Sequence, residues 1–556
     1  MNRFLPAVLL TIGGILSYAQ QPEVSPEPCS TPGEQVVFAD AVLEREVGRV
    51  LARQGELTCA DMQNLRILTI LPEQGLVTDL SGLQHATNLT ELVLNGHQVR
   101  DLSPLAGLGG LRVVQLEDNE IVDLTALGGL VGLTELRLDD NDILDLGPLA
   151  ALGELRELRL GGNQIAELAP LAGLLNLEVL RLDANRLRTV GVLASLSNLT
   201  ELRLNSNQIS ELAPLAELTR LEELRLDKNA IRDLTPLTNL TNLTELRLDN
   251  NQITDIRPLT ELAGFAELKL SVLDLSDNQI ADITSLAELV NLTQLGLAGN
   301  QIADVTPLAG LTRLTQLLLD GNQIREVGSL ARLEELTELT LDGNQIDDAT
   351  ALTSMVRLSR LTLADNRIGE VGSLAGLVNL TELTLAENQI VDISPLTGLD
   401  KLTILTLDRN QITDLTPLAS LTRLGELTLD RNQIADLSPL TGLVNLTRLT
   451  LDRHDISDIT PLAGMTKLTE LTLERNQIVD LTPLAGLTRL TTVLLQRNRI
   501  QTIEPLLSNS GLTAGATVGL EDNCLTENED LNDIFELIDR GVTVSYEPQD
   551  ECSRPG

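Results

Sequence analysis

The sequence predicts an α/β solenoid, with parallel strands on a concave face and short helical turns on the convex one. Two observations predict it. Asparagine recurs every 22 residues inside the frame L-x-L-x-x-N-x-I-x-D-L, at Asn119, Asn141, Asn163, Asn185, Asn207, Asn229 and Asn251, then at Asn278, Asn300, Asn322, Asn344, Asn366, Asn388, Asn410, Asn432, Asn476 and Asn498. His97 and His454 stand where two further members belong. The second observation is the uniformity of everything between: a fixed period of this length is the mark of stacked supersecondary units, not of one globular core.

Each element follows from one turn. In Leu133-Thr134-Glu135-Leu136-Arg137-Leu138-Asp139-Asp140-Asn141, Leu136 and Leu138 share one face of a strand, and Glu135, Arg137 and Asp139 share the other. No single turn can bury its leucines, so turns stack at roughly 4.8 Å and form an arc on the order of 100 Å long. The asparagine amide can donate to and accept from the backbone of adjacent turns where the chain leaves the strand. The remainder, as in Asp414-Leu415-Thr416-Pro417-Leu418-Ala419, puts Thr or Ser before Pro, a helix-start signal that predicts a short helical return.

These residues resemble the 22-residue leucine-rich repeats of the bacterial internalin family and, more distantly, those of eukaryotic phosphatase-regulatory proteins. The resemblance covers roughly Leu65 to Asn523. It implies a curved leucine-rich-repeat solenoid, or horseshoe, without enzymatic activity, whose concave strand face binds a partner protein. It extends more weakly to the two ends.

The domain plan has five parts: residues 1–19 as a signal peptide, 20–32 as a flexible linker, 33–64 as a helical N-terminal cap, 65–523 as about twenty repeats, and 524–556 as a C-terminal cap. Arg3, the apolar run Phe4 to Leu16 and Ser17-Tyr18-Ala19 fit a signal cleaved after Ala19. A secreted, extracellular or periplasmic location follows, with no membrane span in the mature chain. Cys29 with Cys59 and Cys524 with Cys552 are the expected disulfides, because the array separates the two pairs; a four-cysteine zinc site would need both ends to meet. In the N-terminal cap, Leu43, Val47, Val50 and Leu51 form a helical stripe between a capping Asp40 and a terminating Gly55. In the C-terminal cap, Thr526 and Glu529 read as a capping box, Leu531, Ile534, Phe535 and Ile538 as the buried face, and Val542, Val544 and Tyr546 as a last strand.

One irregularity interrupts the array at 252–277: Asn251 and Asn278 are 27 residues apart, not 22, and Glu267-Leu268-Lys269-Leu270 and Val272-Leu273-Asp274-Leu275 write the strand signature twice. A bulge or kink in the strand ladder is expected there.

Candidate binding residues lie on the outward strand positions. The middle x of L-x-L runs Arg137, Arg159, Arg181, Arg203, Arg225 and Arg247, and after the irregularity becomes Thr340, Thr362, Thr384, Thr406, Thr428, Thr450 and Thr472. Forked guanidinium donors suit carboxylates or sulfates on a protein or, second in order, an acidic glycan. The flanking positions hold Glu135, Glu157, Glu201, Glu223 and Glu245 on one side and Asp139, Asp183, Asp227 and Asp249 on the other, so the column reads as an ion-pair lattice more than a basic patch. The threonines read as solvent-facing strand residues of high β-propensity. An ice-ordering threonine face is disfavoured by Glu338, Glu382, Glu426 and Glu470 on one side and Asp342, Asp408, Asp430, Asp452 and Glu474 on the other. A third column, including Asp101, Asp123, Asp145, Asp233, Asp255, Asp282, Asp304, Asp392, Asp414, Asp436, Asp458 and Asp480, could ligate Ca²⁺ but reads first as turn caps.

The same balance of arginines by acids disfavours nucleic acid as a partner, and the net charge of −40 would repel it, so none is expected. His85, His97 and His454 form no catalytic constellation, so neither an enzyme nor a cofactor is expected, and the chain should be monomeric. Asn-Leu-Thr triplets at Asn88, Asn198 and Asn445 fall out of the repeat consensus. The function expected is secreted or cell-surface adhesion or recognition through the concave face. The alternative, from another class, is an acidic spacer or matrix component, calcium-dependent or not, without a dedicated ligand; the absence of Trp favours it, since hot spots are rich in Trp, Tyr and Arg.

Overall fold

The computed structural model describes residues 31–263, 268–525 and 530–549. The chain divides into two compact units, Met1–Leu158 and Arg159–Gly556.

The first unit begins with the helix Ala41–Val50. Asp40 caps it, its Oδ1 accepting from the N–H groups of Val42 and Leu43 at 2.8 and 3.0 Å. Leu43 and Val47 are buried as the stripe predicts, but Val50 is 42% exposed, because the helix ends there and the chain turns away. Glu46 is buried on the same helix and held by Arg45 and Arg49, a feature the apolar stripe does not announce. Four strands follow, Ile67–Thr69, Glu91–Val93, Val113–Gln115 and Glu135–Arg137. They pair in parallel and in register, Leu68 with Leu92, Leu92 with Val114, and Val114 with Leu136. A further strand, Glu157–Arg159, falls at the division between the units.

The second unit repeats this pattern from Val179–Arg181 to Thr543–Ser545. Leu180, Leu202, Leu224 and Leu246 stack on consecutive strands with no exposed surface. Each strand is three residues long, and the leucine just beyond it, such as Leu204 or Leu226, is equally buried. The chain returns through 3₁₀ turns such as Thr416–Ser420. The cap of that turn is Asp414, whose Oδ1 accepts from the Thr416 N–H at 2.8 Å; the Ser or Thr before Pro is the first residue of the turn, not its cap. The same Asx-type bond recurs at Asp233, Asp282, Asp304, Asp392, Asp436, Asp458 and Asp480.

The strand ladder crosses the irregularity without a break. Val272–Asp274 pairs with Glu245–Arg247 in parallel, Leu273 opposite Leu246, so the expected bulge is absent. Only the second of the duplicated signatures forms a strand. The longer connection carries an α-helix, Pro258–Ala263, where most other turns are 3₁₀.

At the C-terminal end, the helix Asp530–Asp539 buries Ile534 and Leu537. Phe535 and Ile538 are 51% and 39% exposed, so the buried face is rotated from the one expected: Leu537 replaces Phe535 and Ile538 at the contact. The last strand, Thr543–Ser545, pairs with Thr517–Gly519. Cys59 and Cys524 are each disulfide-bonded. Cys29, Cys552, the signal peptide, most of the linker and the Thr526–Glu529 capping box lie outside the described residues.

A candidate binding surface on the strand side

The asparagine ladder builds the platform. Asn410 accepts the Ile390 N–H through Oδ1 at 2.9 Å and donates through Nδ2 to the carbonyls of Leu385, Leu407 and Asp408 at 2.9, 3.1 and 3.2 Å. Thus one buried amide ties neighbouring turns together and satisfies backbone groups that would otherwise be unpaired at the bend. His97 and His454 fill the same structural role with imidazole. His454 Nδ1 lies 3.4 Å from the Ile434 N–H, and Nε2 lies 2.9 Å from the Leu429 carbonyl. The pattern requires the neutral ring with hydrogen on Nε2, and burial pushes the His454 pKa down.

On this platform the second unit's outward residues form two surfaces. From Arg181 to Arg247, guanidinium and glutamate alternate across the strands: Arg181 meets Glu201 at 2.7 Å, Arg203 meets Glu201 and Glu223 at 2.9 and 3.0 Å, Arg225 meets Glu223 and Glu245 at 2.8 and 3.1 Å, and Arg247 meets Glu245 at 2.6 Å. In the first unit Arg137 lies between Glu135 and Glu157 at 2.8 and 3.0 Å. The arginines choose the glutamate side of the column, not the aspartate side, a choice spacing alone does not make. Asp227 and Asp249 are left half-buried, and desolvation raises their pKa, with Asp249 adding to the effect at Asp227. Arg159 falls at the division between the units. The column's donor capacity is incompletely used: Arg225 Nε lies near Glu223 yet is not aimed at it and makes no hydrogen bond.

Beyond the irregularity the threonine column is less open than strand alternation predicts, although Thr384, Thr406 and Thr428 stay partly exposed. Thr340, Thr362, Thr450 and Thr472 are only 2–6% exposed. The aspartates two residues on become a second ladder. Asp408 Oδ1 accepts from the Asp430 N–H at 2.7 Å, Asp430 from Asp452 at 2.8 Å, and Asp452 from Glu474 at 2.7 Å. Thr428 Oγ1 donates to Asp408 Oδ2. Stacked like charges partly withdrawn from water favour protonation: burial and the neighbouring Asp430 raise Asp452 to about 7. The Thr450 hydroxyl, also buried, has no hydrogen-bond partner among the described residues.

The position immediately before each ladder asparagine escapes the sequence reading altogether. It holds arginine five times running, at Arg409, Arg431, Arg453, Arg475 and Arg497, and all five are exposed. The signal that could have found it is the same turn-by-turn alignment that reveals the arginines at the middle of L-x-L. The Asn-Leu-Thr triplets also have a structural role: Asn198 and Asn445 donate to the carbonyls of Leu175 and Thr422 in the preceding turn, each at 2.8 Å.

A leucine-rich-repeat family model, of two repeat copies, matches residues 176–217, 197–239, 219–261, 269–310, 356–398, 378–420 and 400–442. No curated protein matches the chain. Among solved structures, an internalin of Listeria monocytogenes, InlF, is 30% identical, with 70% of this chain and 95% of that one covered and a TM-score of 0.44. A leucine-rich-repeat protein of Leptospira interrogans is 25% identical, with 72% and 98% covered and a TM-score of 0.60. The ectodomain of the Arabidopsis receptor kinase HAESA, solved with a peptide hormone ligand, shares the fold at 19% identity, with 85% and 89% covered and a TM-score of 0.61. Among the described residues no helix is long and apolar enough to cross a membrane.

Proposed function

Because the chain belongs to the leucine-rich-repeat family and is internalin-like, we propose that it is an exported scaffold that binds a partner protein through its strand side. The observation that carries the reading is the alternating Arg–Glu row from Arg181 to Arg247. It is a rigid polar surface, each side chain 20–35% exposed, so the guanidinium groups stand partly open to a ligand. Arg181, Arg203, Arg225 and Arg247 are the proposed contacts, with Arg137 and Arg159 as their counterparts earlier in the column. Export is supported by the disulfide state of Cys59 and Cys524, which suits an oxidising compartment; Cys29 and Cys552 are their proposed partners. The activity is binding without catalysis, and His97 and His454 are committed to holding the backbone. The calcium-dependent spacer is the weaker reading, because the turn aspartates already accept backbone N–H groups.

The test is binding of the mature chain to an array of cell-surface proteins, alongside the variant Arg181→Ser, Arg203→Ser, Arg225→Ser. Loss of at least about tenfold in affinity with unchanged folding supports the site. Equal binding by the variant refutes it.

A further inference from the structure

The five arginines that precede ladder asparagines occupy a backbone state that opposes them. At Arg409, Arg431, Arg453, Arg475 and Arg497 φ lies between 53° and 65°, the left-handed region that costs a β-carbon dearly. Elsewhere in the array the same position holds Gly162, Gly299, Gly321, Gly343, Asn250 and several aspartates, but also Ala184, Ser206, Lys228 and Glu387 at the same φ, so the backbone admits arginine at a cost and does not select it. Arginine has no local side-chain hydrogen bond with which to compensate.

Electrostatics opposes the row as well. Consecutive turns stand roughly 4.8 Å apart, so five like charges are stacked. The ends of the row are neutralised, Arg409 by Glu387 and Arg497 by Asp522, each at 2.9 Å. Arg431, Arg453 and Arg475 have no acidic partner within ion-pair distance among the described residues. Asp430 and Asp452, just before Arg431 and Arg453, do not reach out to them, since their Oδ1 atoms are bound to the next turn's backbone, and Glu474 makes no ion pair with Arg475. On the other flank stand Gln411, Gln433, Asp455, Gln477 and Arg499, a nearly neutral margin. A feature that neither backbone preference nor charge balance explains, repeated five times, points to a ligand.

We propose that this row is an anion-binding site for a linear sulfated or carboxylated glycan laid across successive turns. An extended acidic peptide presents same-face side chains about 6.6 Å apart, out of step with the row. Single-stranded nucleic acid needs aromatic platforms for its bases, and the chain has no Trp and only four Phe and two Tyr. The overall charge of −40 does not forbid contact, because fields beyond about 8 Å are screened at physiological ionic strength. The site is separate from the Arg181–Arg247 surface and does not depend on it.

The experiment measures binding of a heparin-derived octasaccharide to the full chain at about 0.15 M salt, for the wild type, for R431N/R453N/R475N, and for the strand-side variant R181S/R203S/R225S. Asparagine is chosen because Asn250 shows that it fits the position. The expected result is binding by the wild type, a loss of at least about tenfold in the ridge triple, no change in the strand-side variant, and a melting temperature of the ridge triple equal to or above the wild type's. Absence of wild-type binding, equal binding by the ridge triple, or loss in the strand-side variant alone overturns the proposal. Poly-glutamate bound as tightly as the octasaccharide also overturns it, in favour of an acidic protein segment.

Discussion

The stretch from Arg181 to Arg247 and the stretch from Thr340 to Thr472 share one backbone, one register and one asparagine ladder, yet they solve the problem of stacked charge in opposite ways. In the first, each glutamate is answered by an arginine from the preceding strand. In the second, threonine replaces arginine in the middle column, Arg360 and Arg448 in the glutamate column meet Glu338, Glu382 and Glu470, and the aspartates are held by backbone N–H groups and, in part, by protonation. The repeat therefore fixes where a column lies but not how its charge is compensated, and the two stretches should respond differently to salt and pH while responding alike to loss of their common frame.

The largest effect is that common loss. Asn251→Ala and Asn410→Ala each remove an amide making four backbone hydrogen bonds, and each should cost about 3 kcal/mol or more by chemical denaturation; clearly unequal costs would show that the ladder is not shared. Next is Asp452→Asn. The folded pKa near 7 lies above the usual 3.8, so the folded state binds the extra proton, and the charged group weakens the fold progressively as pH rises from about 4 through 7. The amide should accordingly stabilise by on the order of 1–2 kcal/mol at pH 8 and little at pH 4, as melting curves at the two pH values would show. His454→Asn has the opposite sign. The native pKa is lowered from 6.5, so the wild type loses stability as pH falls below 6.5, and the asparagine variant should lose less between pH 7 and pH 5. Identical pH profiles would mean that His454 is not held neutral.

The smallest effects separate the two surfaces directly. Arg203→Ser should cost about 0.5–1 kcal/mol at low salt and less at 1 M. Thr450→Val should be neutral or stabilising by up to about 1 kcal/mol at any salt, because it removes a buried hydroxyl without a partner. A salt-dependent loss at Thr450 would erase the distinction.

The period, the inward leucines and the amide ladder were legible because each is a requirement repeated many times, so a single turn such as Leu133 to Asn141 displays it. The columns were legible as series of residues but not as interactions. Spacing places Glu and Asp symmetrically about each arginine, and only side-chain reach decides for glutamate. Thr340 and Thr450 look solvent-facing by strand alternation yet are buried, while Thr406 in the same column stays partly open. The Phe535 and Ile538 face misled for a related reason: a ten-residue helix admits more than one apolar stripe, and contact with the last strands selects Ile534 and Leu537. The duplicated signature suggested a break because sequence cannot tell which copy enters the sheet.

The unbroken pairing of Val272–Asp274 with Glu245–Arg247 also bears on how such an array can change. Length variation confined to the return side leaves the strand-side columns in step, so inheritance can lengthen, shorten or decorate one edge without rewriting the other. The connection that carries the helix Pro258–Ala263 is thus a natural port, where a tag or a foreign domain can be spliced in while the strand-side columns before and after it keep their register.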